Sequence, residues 1–164
     1  MNSDNTLRPL IAMLLVAMVL QLFPISGSWL HLKPNFFLLI MIAWVLYFPE
    51  RYGVEFAALT GLLTDLVLGS AIGYHVLIFS ISGLILIFFH RVVVYLQLIQ
   101  RVVLVFMLVI MVAFMEAVMN SILDKPLFLD GVFWLGIISA LCWIPLDKLV
   151  SQFYSHQNLS LIHI

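Results

Sequence analysis

The chain has 164 residues, is 65% hydrophobic and only 9% charged, and carries a formal net charge of −1. A soluble domain of this size needs far more charge on its surface, so this balance, with a mean hydropathy of +1.20, indicates an all-α integral membrane protein. Near-neutrality leaves no electrostatic footprint for nucleic acid, and the lone Cys142 excludes an intrachain disulfide.

Spanning a bilayer takes about 20 apolar residues, or about 17 in a short helix. Six apolar runs follow one another, over residues 7–23, 35–48, 54–68, 74–89, 102–123 and 132–150. The first has a single basic residue, Arg8, at its head and no small-x-small cleavage site behind it, so it reads as a retained helix rather than a signal peptide. A break between Pro24 and Pro34 carries Ser, Gly, His and Lys. The second run is short and must borrow its flanks to span. Pro34 sets an extended entry to it, and Asn35 can cap its orphan N–H groups. The charged tight turn 49–53 leads into the third run. Only the glycine-bounded turn 69–73 separates the third run from the fourth, so the two read either as separate helices or as one bent, re-entrant hairpin. Residues 90–101 form the longest polar stretch and 124–130 the last. In the sixth run Gly136 and Ala140 make a small-residue seam, and Pro145 should kink the helix. The reading is a six-helix transmembrane bundle, with five helices as the alternative. The loops are too short for a folded extramembrane domain.

Basic residues orient the bundle. Arg8, Arg51, Arg91, Arg101 and Lys148 fall on one side and Lys33 and Lys125 on the other; five against two places both termini in the cytoplasm. Trp29, Tyr47, Tyr52, Tyr95, Trp134, Trp143 and Tyr154 lie near run ends, where interfacial aromatics are expected. Residues 1–158 are read as one transmembrane domain. Residues 159–164 match a reading frame of a transposon-end sequencing adapter and are expected to be non-native, so His163 is given no role.

Asp65 is the most unusual residue, a carboxylate inside the third apolar run. A carboxylate at such depth must face protein, water or a partner, because lipid cannot solvate it. Ala57, Gly61, Asp65 and Gly69 recur every four residues and share one helix face. Such a face serves either as a docking surface for a helix or small ligand, or as a packing seam within the chain. Glu116, with Asn120 one turn on and Ala113 and Ala117 beside it, makes a second polar stripe. It could complement Thr64 and Asp65 through a shared proton or pair with an outside cation. His75 and His90 bracket the fourth run and His31 lies in the first long break; none has metal-ligand spacing, so no metal site is expected. Ser80 and Ser82 are expected to bond to backbone. No nucleophile elbow, phosphate loop or dinucleotide fingerprint is present, so neither catalysis nor a cofactor is expected.

Three motifs together resemble the family of rod shape-determining protein MreD: Lys33-Pro34-Asn35 opening an apolar helix, Gly61-Leu-Leu-Thr-Asp65, and Leu68-Gly-Ser-Ala-Ile-Gly73. The charged turn Pro49-Glu-Arg51 and the hydropathy profile agree, whereas the second half matches mainly in hydropathy, so Glu116 and Asn120 are not carried over. The resemblance implies a non-enzymatic subunit of the bacterial cell-wall elongation complex in the inner membrane. It would bind MreC and, through it, connect to the glycosyltransferase RodA, its partner transpeptidase and MreB filaments, supporting lateral peptidoglycan synthesis and rod shape. It also implies the six-helix fold of the substrate-binding subunits of energy-coupling-factor transporters, which keeps a small-ligand-binding transport subunit as the alternative. On the first reading, Gly61, Asp65, Gly69 and Gly73 help dock the partner, with Asp65 accepting a hydrogen bond or a cation from it. Pro34, Asn35, Glu116 and Asn120 are structural polar residues.

Overall fold

The computed structural model describes residues 4–24, 33–93, 95–123 and 131–162, with side chains further limited at some helix ends. The expectations resting on Trp29, His31, Lys125 and His163 lie outside these residues, as do those on the side chains of Arg91 and of residues 159–162 in the suspected foreign tail. The described residues form six helices: α1 (Asp4–Leu22), α2 (Phe36–Tyr47), α3 (Val54–Leu68), α4 (Tyr74–Val93), α5 (Leu98–Ile122) and α6 (Val132–Ile162). The third and fourth runs are therefore two helices, joined by the 69–73 turn.

The shortest helix is the centre of the bundle. α2 is apolar on every side, Phe-Phe-Leu-Leu-Ile-Met-Ile-Ala-Trp-Val-Leu-Tyr, and a helix apolar all round is a buried one. Every residue from Phe37 to Leu46 is buried, and α1, α3, α4 and α6 pack around it. Its N-terminus is closed as expected, with the Leu38 N–H donating to Asn35 Oδ1 at 3.3 Å. At 1.5 Å per residue, α2 rises only about 18 Å, well short of the roughly 30 Å hydrocarbon core. The second run does not extend itself with its flanks; neighbouring helices shield it instead.

Among the described residues, two helices are long and apolar enough to cross a membrane by themselves, Leu98–Ile122 and Val132–Ser155. They lie side by side along a small-residue seam. A Cβ on Gly136 would come within 2.8 Å of the Phe106 ring, and Ala140 is buried. On α5, Val103, Met107, Phe114, Val118 and Ile122 form the exposed apolar stripe that lipid would cover. α6 runs through Pro145 as one helix. Ser80 and Ser82 do bond to backbone, donating to the carbonyls of Val76 and Ile78.

Two aromatics expected at the interface are core residues. Trp143 is fully buried, with its indole N–H unpaired among the described residues. Tyr52 is buried against the rings of Trp44, Phe48 and Phe56. Proximity to a run end does not tell which face of the helix a ring occupies. Tyr95, Trp134 and Tyr154 are exposed as expected.

Where α2 ends, a polar clasp ties three distant segments together. The Tyr47 hydroxyl donates to Asp147 Oδ1 at 2.8 Å and accepts from Arg101 Nη1 at 2.6 Å, with the guanidinium also lying over its ring. Arg101 itself stands 3.5 Å from Asp147. Tyr47→Phe keeps the ring and removes both bonds. It should lower stability by about 1–3 kcal/mol, read from the unfolding midpoint in detergent; an unchanged midpoint would show that the clasp contributes nothing.

Candidate functional site

The α3–α4 hairpin supplies the polar interior of the bundle. Its two helices touch along the small-residue face: a Cβ on Gly61 would sit 2.6 Å from the His75 carbonyl oxygen, and one on Gly83 would sit 2.6 Å from the Ala57 Cβ. The seam read from the spacing of Ala57, Gly61 and Asp65 thus faces α4. Thr60 and Thr64 lie beside it and donate back into their own helix, to Phe56, Ala57 and Thr60 carbonyls. Thr64 therefore does not complement Glu116.

Asp65 sits where this hairpin turns. Its backbone carbonyl accepts the N–H groups of Gly69 and Ser70, closing the C-terminus of α3. Its side chain closes the N-terminus of α4. Oδ2 accepts the Gly73 N–H at 2.9 Å, and Oδ1 accepts the His75 N–H at 3.0 Å, the Ser70 hydroxyl at 2.6 Å and His75 Nδ1 at 2.7 Å. One residue thereby satisfies orphan groups of two helix ends and puts a negative charge at the positive end of α4. The turn needs glycine at both edges: Gly69 has φ +65° and Gly73 φ +103°, backbone regions that L side chains rarely adopt. The Asp65 carboxylate is only 1% exposed. In the free chain these bonds all come from within the hairpin, whereas the sequence reading has Asp65 accept from a partner. What the hairpin exposes instead is the turn's apolar tip, with Ile72 77% exposed beside Gly69 and Ala71.

His75 connects Asp65 to the second carboxylate. Nδ1 faces Asp65, and Nε2 lies 3.7 Å from Glu116 Oε1. Asn120 and the backbone of Glu116 are held by the Tyr74 hydroxyl, at 3.1 Å each, which fixes α5 against the start of α4. The two stripes read from the sequence therefore converge, but through a histidine to which the sequence assigned nothing beyond an interface. The signal that could have found it was its place two residues past Gly73, in the first turn of a helix whose capping carboxylate is Asp65.

Beside this chain of groups lies a cavity of about 160 Å³, lined by both polar and apolar residues. Lys33, Asn35, His75, Glu116 and Ser139 supply its polar wall; Leu38, Val109, Val112 and Leu135 belong to its apolar wall. It lies at the Asn35 end of the short helix α2, where the bundle lacks helical height. Non-helical backbone and polar side chains at membrane depth are tolerated where they are buried in protein or line such a space.

A bundle of apolar helices with a carboxylate–histidine–carboxylate array in its interior is the architecture of a helical membrane protein with an interior polar site. The chain matches the family described as rod shape-determining protein MreD over residues 3–153, nearly its whole length, and belongs to that family. It is similar to the rod shape-determining protein MreD of Haemophilus influenzae, with 36% identity over 73 residues that cover 44% of this chain and 45% of that relative. The aligned stretch is thus under half of the relative's length. No solved structure matches. The family is one of bacterial membrane proteins, in keeping with the two helices of spanning length.

Proposed function

We propose that this chain is a non-enzymatic, multi-pass inner-membrane subunit of the cell-wall elongation complex, with both termini cytoplasmic, that supports rod shape and lateral peptidoglycan synthesis. Its membership of the rod shape-determining MreD family carries this reading. Its direct partner is MreC, and through MreC it connects to RodA, the partner transpeptidase and MreB.

The hairpin fits a docking role of a particular kind. Gly61 lets α3 and α4 touch, Asp65 clamps the turn, and Gly69 and Gly73 give it its shape. The result is a fixed apolar tip around Ile72 that a partner's single transmembrane helix or juxtamembrane segment can meet without first ordering it. In this arrangement Gly61, Asp65, Gly69 and Gly73 act by shaping the surface. Ile72→Asp leaves every bond of the turn intact while placing a charge on its tip. It should reduce co-purification of MreC at least several-fold while the chain still inserts and accumulates; full retention of MreC would sink the docking role. Depletion of the chain should round the cells.

The interior cavity favours a second reading, a small-ligand-binding membrane transport subunit with the fold of the energy-coupling-factor substrate-binding subunits. That reading expects a small molecule retained through gentle purification.

A further inference from the structure

We propose that the cavity between α2, α4, α5 and α6 binds a small zwitterion, a primary ammonium joined by a short linker to a phosphate or carboxylate. The inference gives a chemistry to the ligand reading and rests on it; the elongation-complex reading does not depend on it.

The ammonium end is specified by two acceptors that face each other. His75 Nδ1 is 2.7 Å from Asp65 Oδ1, so in the neutral ring the proton sits on Nδ1 and Nε2 presents a lone pair. That lone pair faces Glu116 Oε1 at 3.7 Å, beyond hydrogen-bonding distance. Glu116, whose side chain is about one-third exposed (32%), has no closer side-chain partner among the described residues, and a partly buried carboxylate gains from one. A group with several N–H donors and a positive charge, placed beside both atoms, satisfies the pair at once. A primary ammonium has three donors; a quaternary ammonium has none.

The anionic end is specified by the donors that line the same cavity. Lys33 gives two of its three donors to the carbonyls of Gln21 and Phe23 at the end of α1, and no carboxylate pairs with it among the described residues. Ser139, a buried residue that lines the cavity, adds a hydroxyl. Size limits the ligand as well. A cavity of about 160 Å³ is close to one that takes a benzene ring, so the bound group has about six to eight non-hydrogen atoms. Phosphoethanolamine fits that limit, and the same chemistry comes either from a lipid headgroup or from a free small zwitterion.

The test uses the full chain purified in detergent, delipidated, and offered phosphatidylethanolamine, phosphatidylglycerol or phosphatidylcholine, with bound lipid counted by native mass spectrometry. The expected result is at least a tenfold preference for phosphatidylethanolamine over both others. Glu116→Gln should abolish that preference, while Glu55→Gln on the exposed start of α3 leaves it unchanged. Ser139→Ala, which removes one hydroxyl from a helix of good propensity, should weaken it and guards against a Glu116 variant that fails to fold. Free O-phosphoethanolamine identifies the source. Displacement of the lipid by millimolar phosphoethanolamine supports a free zwitterion in the site, and retention of the lipid against it supports a headgroup anchored by its chains. Equal retention of all three lipids with no capture of phosphoethanolamine, or a preference untouched by Glu116→Gln in a folded chain, overturns the proposal. Recovery of an unrelated small molecule from the cavity would also overturn it, while leaving the ligand reading standing.

Discussion

Asp65→Leu is expected to cost about 3–5 kcal/mol, the range for removing one partner of a buried charged network, and to loosen the α3–α4 hairpin before the rest of the bundle. The leucine would leave the N–H groups of Gly73 and His75, the Ser70 hydroxyl and the His75 ring without their common acceptor. At a site only 1% exposed little water can replace it, and each orphan backbone group is itself expensive. The readout is the unfolding midpoint in mixed micelles, with proteolysis at residues 69–73 as a local probe. Asp65→Asn keeps one carbonyl oxygen and should fall between the parent and Asp65→Leu. A leucine variant as stable as the parent would mean that the turn is held by packing alone. Because of this structural cost, loss of a partner in Asp65→Leu would not by itself locate a docking surface; Ile72→Asp separates the two effects.

Gly61→Leu is the second large effect expected. Even the first carbon of a side chain at this position would lie 2.6 Å from the His75 carbonyl oxygen and 2.7 Å from the Val76 Cα, which are backbone atoms that cannot rotate away. The helices must separate, which would pull His75 from Asp65. Overpacking of this kind costs about 1–3 kcal/mol and more where the backbone must move. Gly61→Ala should already lower the unfolding midpoint clearly. Gly53→Ala is the comparison: the nearest atom to a Cβ there is Ile87 Cδ1 at 3.9 Å, and its effect should be small. Equal behaviour of the two alanine variants would contradict the close contact of α3 with α4.

Much of this was legible in the sequence, and for definite reasons. Apolar runs broken by Pro, Gly and charge gave all six helices, because a chain in lipid must satisfy its backbone within helices. The four-residue spacing of Ala57, Gly61 and Asp65 gave the face on which α3 packs. Asn35 capped its helix as its type and position indicated. What the sequence could not show was partner choice across the fold. An all-apolar 12-residue run has no polar face to say whether lipid or protein surrounds it, so α2 read as a weak span rather than as the buried centre. The position of Trp143 in the sequence carries no information about which face of α6 is buried. His75 looked like an interfacial histidine because its two carboxylate neighbours are ten and forty-one residues away in the chain and meet only once the hairpin closes against α5.

The central functional claim is that the Asp65-clamped turn presents a docking tip to MreC. Site-specific photo-crosslinking in membranes tests it most directly, with the photoreactive residue placed at Ile72 in one chain and at Met107, exposed on α5, in another. The account predicts a crosslink to MreC from position 72 and little or none from position 107. Efficient crosslinking from 107 with none from 72 would contradict it and move the interface to the lipid-facing stripe of α5.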